Sequence, residues 1–215
     1  FPYYRMVTDH GQVVLTDTKG NIYIIKDGYG LVVEKKSQTS PSDERKKDGT
    51  GDFISAYLNH GAAPSEASYE YMLLVQPNGK ELKSYSKKAP YVVVKADTDA
   101  HVVTDLPTGI TAYNIYKAYT DDNTLVHSAD AETIVMERTR EDGTVVMSVC
   151  TPDLGITQKA YTTPQSSQVL QKKVILNGVY ALEGACDDVV VEVVGGKTHV
   201  TASCVHGQPV EFYLK

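Results

Sequence analysis

The chain has 215 residues, with 21 Lys and Arg against 27 Asp and Glu, for a net charge of -6. That length suffices for one large β domain or two small ones. A chain this acidic is a poor electrostatic trap for nucleic acid or a sulfated polyanion, and no basic run offsets the balance. No apolar stretch approaches the ~20 residues that a bilayer-spanning helix needs, so neither a nucleic-acid partner nor a membrane span is expected. The chain opens at Phe1 without an initiator Met or a charged-then-apolar leader, as expected of a piece excised from a longer protein.

Taken in order, the first 37 residues alternate short β-type runs with turns. Val13-Val14-Leu15, Ile22-Tyr23-Ile24-Ile25 and Leu31-Val32-Val33 are separated by Asp17-Thr18-Lys19-Gly20-Asn21 and by Asp27-Gly28-Tyr29-Gly30. β-Branched runs between Gly-containing turns signal antiparallel sheet. Residues 37–51, with Pro41 and the mixed-sign string Asp43-Glu44-Arg45-Lys46-Lys47-Asp48, have little apolar to bury and read as a mobile surface loop.

Residues 53–75 are the organising stretch, read as two strands joined by a compact polar turn. Ile54, Ala56 and Leu58 share one face of the first strand, with Phe53 and Tyr57 on the other. Gly61 and Pro64 punctuate the turn. In the second strand Tyr69, Tyr71, Leu73 and Val75 oppose Met72 and Leu74. Both faces are apolar, as expected for a sheet covered on both sides. His60, next to Asn59 and near Tyr57, offers base, carboxamide and phenol, but strand alternation points them apart, and a role in closing the turn is expected.

Gln76-Pro77-Asn78-Gly79-Lys80 is a turn signal, and residues 81–89, ending before Pro90, form the expected domain junction. Lys80, Lys83, Lys87 and Lys88 there read as a solvated linker helix or loop. Beyond Pro90 β-type runs resume at 91–95, 101–104, 111–118, 133–137, 145–150, 169–176, 189–194, 198–205 and 210–214. Many short strands at near-regular spacing, without helical period, predict an all-β chain of antiparallel β-sandwich layers.

Three cysteines, Cys150, Cys186 and Cys204, do not make a disulfide framework. Gly195-Gly196 predicts a tight hairpin that sets Val191 opposite Val200, Val189 opposite Ala202 and Glu192 opposite His199. In that register Cys186 and Cys204 point to opposite faces, so free, mostly buried thiols are expected. Cys150, at the end of an apolar strand, reads as core.

Other polar candidates are weak. Asp97, Asp99 and Asp105 lack the Gly and terminal Glu of a calcium loop, and Glu183, Cys186, Asp187 and Asp188 are too irregular for zinc. His10 beside Asp9, His101 near Asp99, and His127 read as surface or turn residues. Among the 15 tyrosines, Tyr113, Tyr116 and Tyr119 are the set to inspect as a sugar platform, although Tyr116 alternates away from the other two. No catalytic, cofactor-binding or metal-ligating residue is assigned.

The stretch Tyr57-Leu58-Asn59-His60-Gly61, Pro64 and Ala67-Ser68-Tyr69-Glu70-Tyr71 resembles the β-domain motif of polysaccharide lyase family 8, whose members cleave chondroitin, dermatan, hyaluronan or xanthan. Residues 146–157, Val-Met-Ser-Val-Cys-Thr-Pro-Asp-Leu-Gly-Ile-Thr, are similar to the C-terminal domain of the chondroitin sulfate ABC lyases, and so is the ending Gly207-Gln208-Pro209-Val210-Glu211-Phe212-Tyr213-Leu214. The three matches run in family order along most of the chain.

The resemblance implies that residues 1–89 end the central β-sheet domain and residues 90–215 form the C-terminal β-sandwich. It implies a periplasmic or extracellular enzyme whose upstream domains carry the chemistry and bind the polysaccharide. There a base removes the proton beside a uronate carboxylate, an acid protonates the leaving oxygen, and the carboxylate is neutralised. The family's Asn, His, Tyr and Arg set and its assisting Glu match no motif in this chain. The chain alone is therefore expected to be inactive, a scaffold beside the substrate cleft. A stand-alone carbohydrate-binding or adhesion β-sandwich, or a purely structural spacer, remains open as an alternative.

Overall fold

The computed structural model describes residues 5–9 (backbone only), 12–26, 30–41, 48–153, 168–205 and 207–215. His10, residues 27–29 of the second turn and residues 154–157 of the downstream motif lie outside them. The chain divides into two compact units, Phe1–Ala89 and Pro90–Lys215.

In the first unit, β1 (Arg5–Asp9), β2 (Gln12–Thr16), β3 (Ile22–Lys26) and β6 (Tyr71–Leu74) form an antiparallel sheet in the order β1-β2-β3-β6. Asp17 caps the β2–β3 turn, accepting from the backbone N–H groups of Lys19 and Asn21 at 2.8 and 2.9 Å. β3 holds the most buried side chains of the sheet among the described residues, with Ile22 and Ile24 on one face and Ile25 on the other. The remaining strands, β4 (Leu31–Ser40) and β5 (Gly49–Leu58), pair among the described residues only with each other, as a ten-residue ribbon.

Two expectations are corrected here. The polar stretch 37–51 is not simply a loop, because β4 runs to Ser40 and β5 starts at Gly49. Its outer arm is held by backbone pairing and by polar cross-strand contacts, Gln38 Nε2 to Ser55 Oγ at 2.6 Å and Thr39 to Thr50 at 3.1 Å. Nor do the strands flanking Asn59–Ala67 lie in one sheet covered on both sides, since β5 belongs to the ribbon and β6 to the four-stranded sheet, and Phe53, Tyr57, Tyr71 and Leu73 are about half exposed.

The unit ends in α1 (Gly79–Tyr85), where a thin apolar pattern suggested helix or loop. Its start is fixed by a capping box. Asn78 Oδ1 accepts from the N–H groups of Lys80 and Glu81 at 2.9 and 3.0 Å, and Glu81 Oε2 accepts from Asn78 N at 2.9 Å. The lysines of this segment are exposed.

The second unit is an antiparallel β-sandwich. One sheet holds β7 (Tyr91–Ala96), β8 (Ala100–Asp105), β9 (Ile110–Ile115), β12 (Thr133–Thr139), β13 (Val145–Cys150), β15 (Leu182–Glu183) and β18 (Val210–Leu214), in the order β15-β18-β13-β12-β9-β8-β7. The other holds β10 (Tyr119–Thr120), β11 (Val126–Ala129), β14 (Leu170–Asn177), β16 (Val189–Val194) and β17 (Lys197–Cys204), in the order β10-β11-β14-β17-β16. Alternation drives the closure. Val145, Met147 and Val149 of β13 point inward, as do Val200, Ala202 and Cys204 of β17, and all are at most 1 % exposed. Burying each such aliphatic side chain is worth about 1.5–3 kcal/mol.

The β16–β17 register is the one expected, with Val191 opposite Val200 and Glu192 opposite His199. All three cysteines are free. Cys204 is in the core, Cys186 is half-buried, and Cys150 sits half-buried on the face opposite Val145, Met147 and Val149 rather than in the core. Burial pushes the Cys150 and Cys204 thiols above their ordinary range.

Candidate functional site

In the first unit, a cleft of about 810 Å³ is lined by residues of β2, β3, β4, β5, the 59–70 connection and β6. Leu15, Ile25, Leu31, Ile54 and Leu58 supply aliphatic surface, and Tyr23, Phe53, Tyr57, Tyr69 and Tyr71 supply rings. The register places Leu15 beside Tyr23, and Ile25 between Val13 and Tyr71, so one apolar face of the sheet looks into the cleft.

The connection from β5 to β6 is built to place His60. Asn59 N donates to Gly30 O at 2.9 Å, tying the end of β5 to the start of β4, and Asn59 Oδ1 accepts from Gly61 N at 2.9 Å. The side chain that closes the turn is thus Asn59. Gly30 has φ +65, and a Cβ there would meet Asn59 O at 2.7 Å. Ala63 and Glu66 also adopt left-handed backbone, with φ 50 and 54, at a cost of about 1–2 kcal/mol each. Because the strand ends at Leu58, His60 escapes strand alternation and lines the same cleft as Tyr57.

The His60 ring lies 6.3 Å from that of Tyr69, tilted by 32°, and Tyr69 stacks on Tyr71 at 6.2 Å and 18°. These rings form a ladder open to solvent, with Tyr69 63 % and Tyr71 52 % exposed. The charged lining groups are Asp17, Asp52 and Lys35, and no arginine is among the described lining residues. Asp17 is already engaged in its turn, and the side-chain hydrogen bond from Asn21 holds its carboxyl below the ordinary range. The cleft offers stacking and hydroxyl groups, but no cluster that could neutralise a carboxylate.

A second polar grouping lies on the face of the seven-stranded sheet turned away from the core. His101 pairs across the ladder with Asn114. Asn114 Nδ2 donates to Tyr116 Oη at 3.0 Å, Tyr116 Oη lies 3.4 Å from His101 Nδ1, and the His101 and Tyr116 rings meet edge to face at 5.3 Å. These are three of the residue types that uronate β-elimination uses, but they lie on an open sheet face and not in a cleft. Tyr113 and Tyr119 are instead core residues packed edge to face at 5.4 Å, so the trio Tyr113, Tyr116 and Tyr119 makes no platform.

The other candidates are structural. Asp97 accepts from Asp99 N and Ala100 N in a β-turn, and with the Lys95 ammonium beside it its carboxyl is lowered to about 2. Asp105 accepts from Thr108 N in the next turn. His127 Nδ1 sits 2.9 Å from Asp122 Oδ1. Among the described residues no group of three His, Cys, Asp or Glu could hold a metal ion.

One buried titratable pair lies within the sandwich. Glu137 projects from β12 into the core, where Tyr113 Oη donates to its Oε1 at 3.3 Å. Desolvation raises the Glu137 carboxyl above its ordinary range, and burial raises Tyr113 likewise.

No protein-family model matches the chain. By sequence it is 27 % identical over 205 residues to the chondroitin sulfate ABC endolyase of Proteus vulgaris, covering 93 % of this chain and 20 % of the relative. It is 30 % identical over 121 residues to the chondroitin sulfate ABC exolyase of Bacteroides thetaiotaomicron, covering 55 % of this chain and 12 % of the relative. By structure it is similar to the chondroitin AC lyase of Streptomyces coelicolor A3, with TM-score 0.70 and 17 % identity over 99 % of this chain and 27 % of that one. A Paenibacillus xanthan lyase gives TM-score 0.69 and 16 % identity over 99 % of this chain and 20 % of that one. The chain thus spans about a fifth of the first relative's length. In sequence and in fold it corresponds to the C-terminal part of a polysaccharide lyase, with the chondroitin sulfate ABC lyases as its sequence relatives.

Proposed function

We propose that this chain is the non-catalytic C-terminal β region of a secreted glycosaminoglycan lyase that degrades chondroitin or dermatan sulfate by β-elimination. It acts as a scaffold beside the substrate cleft. The observation that carries this reading is the alignment of 93 % of the chain with a fifth of an ABC endolyase. On this reading Phe1–Ala89 ends the central β-sheet domain and Pro90–Lys215 is the C-terminal sandwich. The upstream domains of the same polypeptide are its partners, and the polysaccharide is met by the intact enzyme outside the cytoplasm.

The chemistry supports the division of labour. Abstracting the proton beside a uronate carboxylate needs a base, an acid and a cation on that carboxylate, gathered where water is excluded. The described residues bring His101, Asn114 and Tyr116 together only on an open sheet face. The net charge of -6 also opposes capture of a sulfated chain.

The test is ultraviolet absorbance of unsaturated uronate after incubating the chain with chondroitin sulfate. No turnover is expected from the chain alone, and appreciable turnover would overturn the scaffold reading.

A further inference from the structure

We infer that Cys150 and Cys204 form a site of reversible oxidation in the sandwich, closing a disulfide between its two sheets when a small-molecule disulfide acts as oxidant.

The two thiols come from opposite sheets. Cys150 ends β13 and Cys204 ends β17, and the Cα traces of these strands approach within 8 Å. Hydrogen bonds locate the approach. Cys204 Sγ donates to Val149 O at 3.7 Å, and the Thr151 N–H bonds to the same sulfur. Along a strand, a C=O and the N–H two residues further on leave the same side, so these two groups flank Cys150. Among the described residues no strand pairs with β13 on that side past Val149, because β18 starts at Val210 opposite it. Cys204 therefore takes the place of the next ladder partner, alongside Cys150. Cys186 lies elsewhere, with its sulfur 4.0 Å from Glu211 O. A disulfide needs Cα atoms within about 7 Å, close to the approach of the two strands, and rotation about χ1 carries the half-buried Cys150 sulfur from the outer face toward the strand edge.

The step balances as thiol–disulfide exchange. The Cys150 thiolate, from the more exposed of the two thiols, attacks one sulfur of the oxidant and displaces one thiolate. The Cys204 thiolate then attacks the Cys150 sulfur and displaces the second. The two cysteines are oxidised, the oxidant is reduced to two thiols, and those thiols take up the protons the cysteines released. Because the thiolate is the attacking form and burial holds both cysteines above their ordinary range, the reaction quickens as pH rises. The cross-link restricts the unfolded chain and so raises the Tm. Disulfides persist outside the cytoplasm, where the proposed function puts the protein, but the site stands without that reading because the test supplies the oxidant.

The full chain is incubated with oxidised glutathione at pH 8.5, its remaining thiols are alkylated, and a non-reducing tryptic digest is read by mass spectrometry. Lys172 and Lys197 separate the three cysteines, so each falls on its own peptide. A Cys150–Cys204 linked pair is expected, forming faster than at pH 7, with a Tm higher by several degrees that returns to the parent value on reduction. Cys186→Ser should keep both the link and the shift, and Cys150→Ala, at a half-buried position that folding tolerates, should lose both. Four results would overturn the site: all three thiols still open to alkylation after oxidation, a glutathione adduct on Cys150 that goes no further, a link to Cys186 or to a second copy, or a Cys150–Cys204 link that lowers the Tm. Uronate absorbance reads the scaffold role separately, so either inference can fail alone.

Discussion

The two units use one alternating code to opposite effect. In the sandwich, two sheets face each other and residues such as Val135, Leu176 and Leu214 lose all contact with water. In the first unit, a four-stranded sheet and a separate ribbon bury five hydrophobic residues among those described, all on β2 and β3, and leave Phe53, Tyr57, Tyr69 and Tyr71 about half exposed. The same period of two makes a core when a second sheet closes over it and a half-exposed apolar face when none does.

The sharpest way to break that contrast is to delete equal amounts of side chain in each unit. Leu176→Ala should cost the sandwich about 2–5 kcal/mol, because the cavity left in a closed core cannot collapse. Leu73→Ala, on the half-exposed face of β6, should cost less than about 1 kcal/mol. Calorimetry that found both losses equal would show the two units to be packed alike.

A backbone test comes next in size. Gly30→Ala places a Cβ within 2.7 Å of Asn59 O at a left-handed residue, so a loss of about 1–2 kcal/mol or more is expected in the first unit alone. Faster amide exchange at Asn59, whose N–H bonds to Gly30, would report the released turn.

The smallest effect has the opposite sign and is confined to the sandwich. Glu137 has its folded pKa raised by burial, so its contribution to stability is fully present below the ordinary carboxylate pKa. It is lost as pH rises through the raised value, because the unfolded chain releases the proton first. Glu137→Gln should therefore match the parent in acid and exceed it modestly at neutral pH. Identical pH profiles for the two proteins would remove the buried-carboxylate account.

Much of the sandwich was legible because its signals are local. Gly195-Gly196 fixes the loop length, and loop length fixes the register from Val189 to Ala202. The short strands at Tyr119, Val126 and Leu182 were not, since two to four residues carry too little period to read. The polar arms of the ribbon were missed for another reason. Lys35, Gln38 and Thr50 bury little, and their strand is written in backbone hydrogen bonds that composition does not record. Pairing of β6 with β3 rather than with β5 is non-local and left no mark within residues 53–75. The aromatic ladder was half visible. Tyr69 and Tyr71 share a face by alternation, whereas His60 joins them only because Asn59 ends the strand.

The strand order of the larger sheet also governs when folding can finish. β7, β8, β9, β12 and β13 follow one another both along the chain and across the sheet, so they can zip up as they are made. β15 cannot, because its partner is β18, which lies between it and β13. On a ribosome, residues 182–183 wait for 210–214, and until those arrive one edge of β13 is unpaired. That interval is the time at which the nascent protein is most open to wrong strand pairing, and to a chaperone.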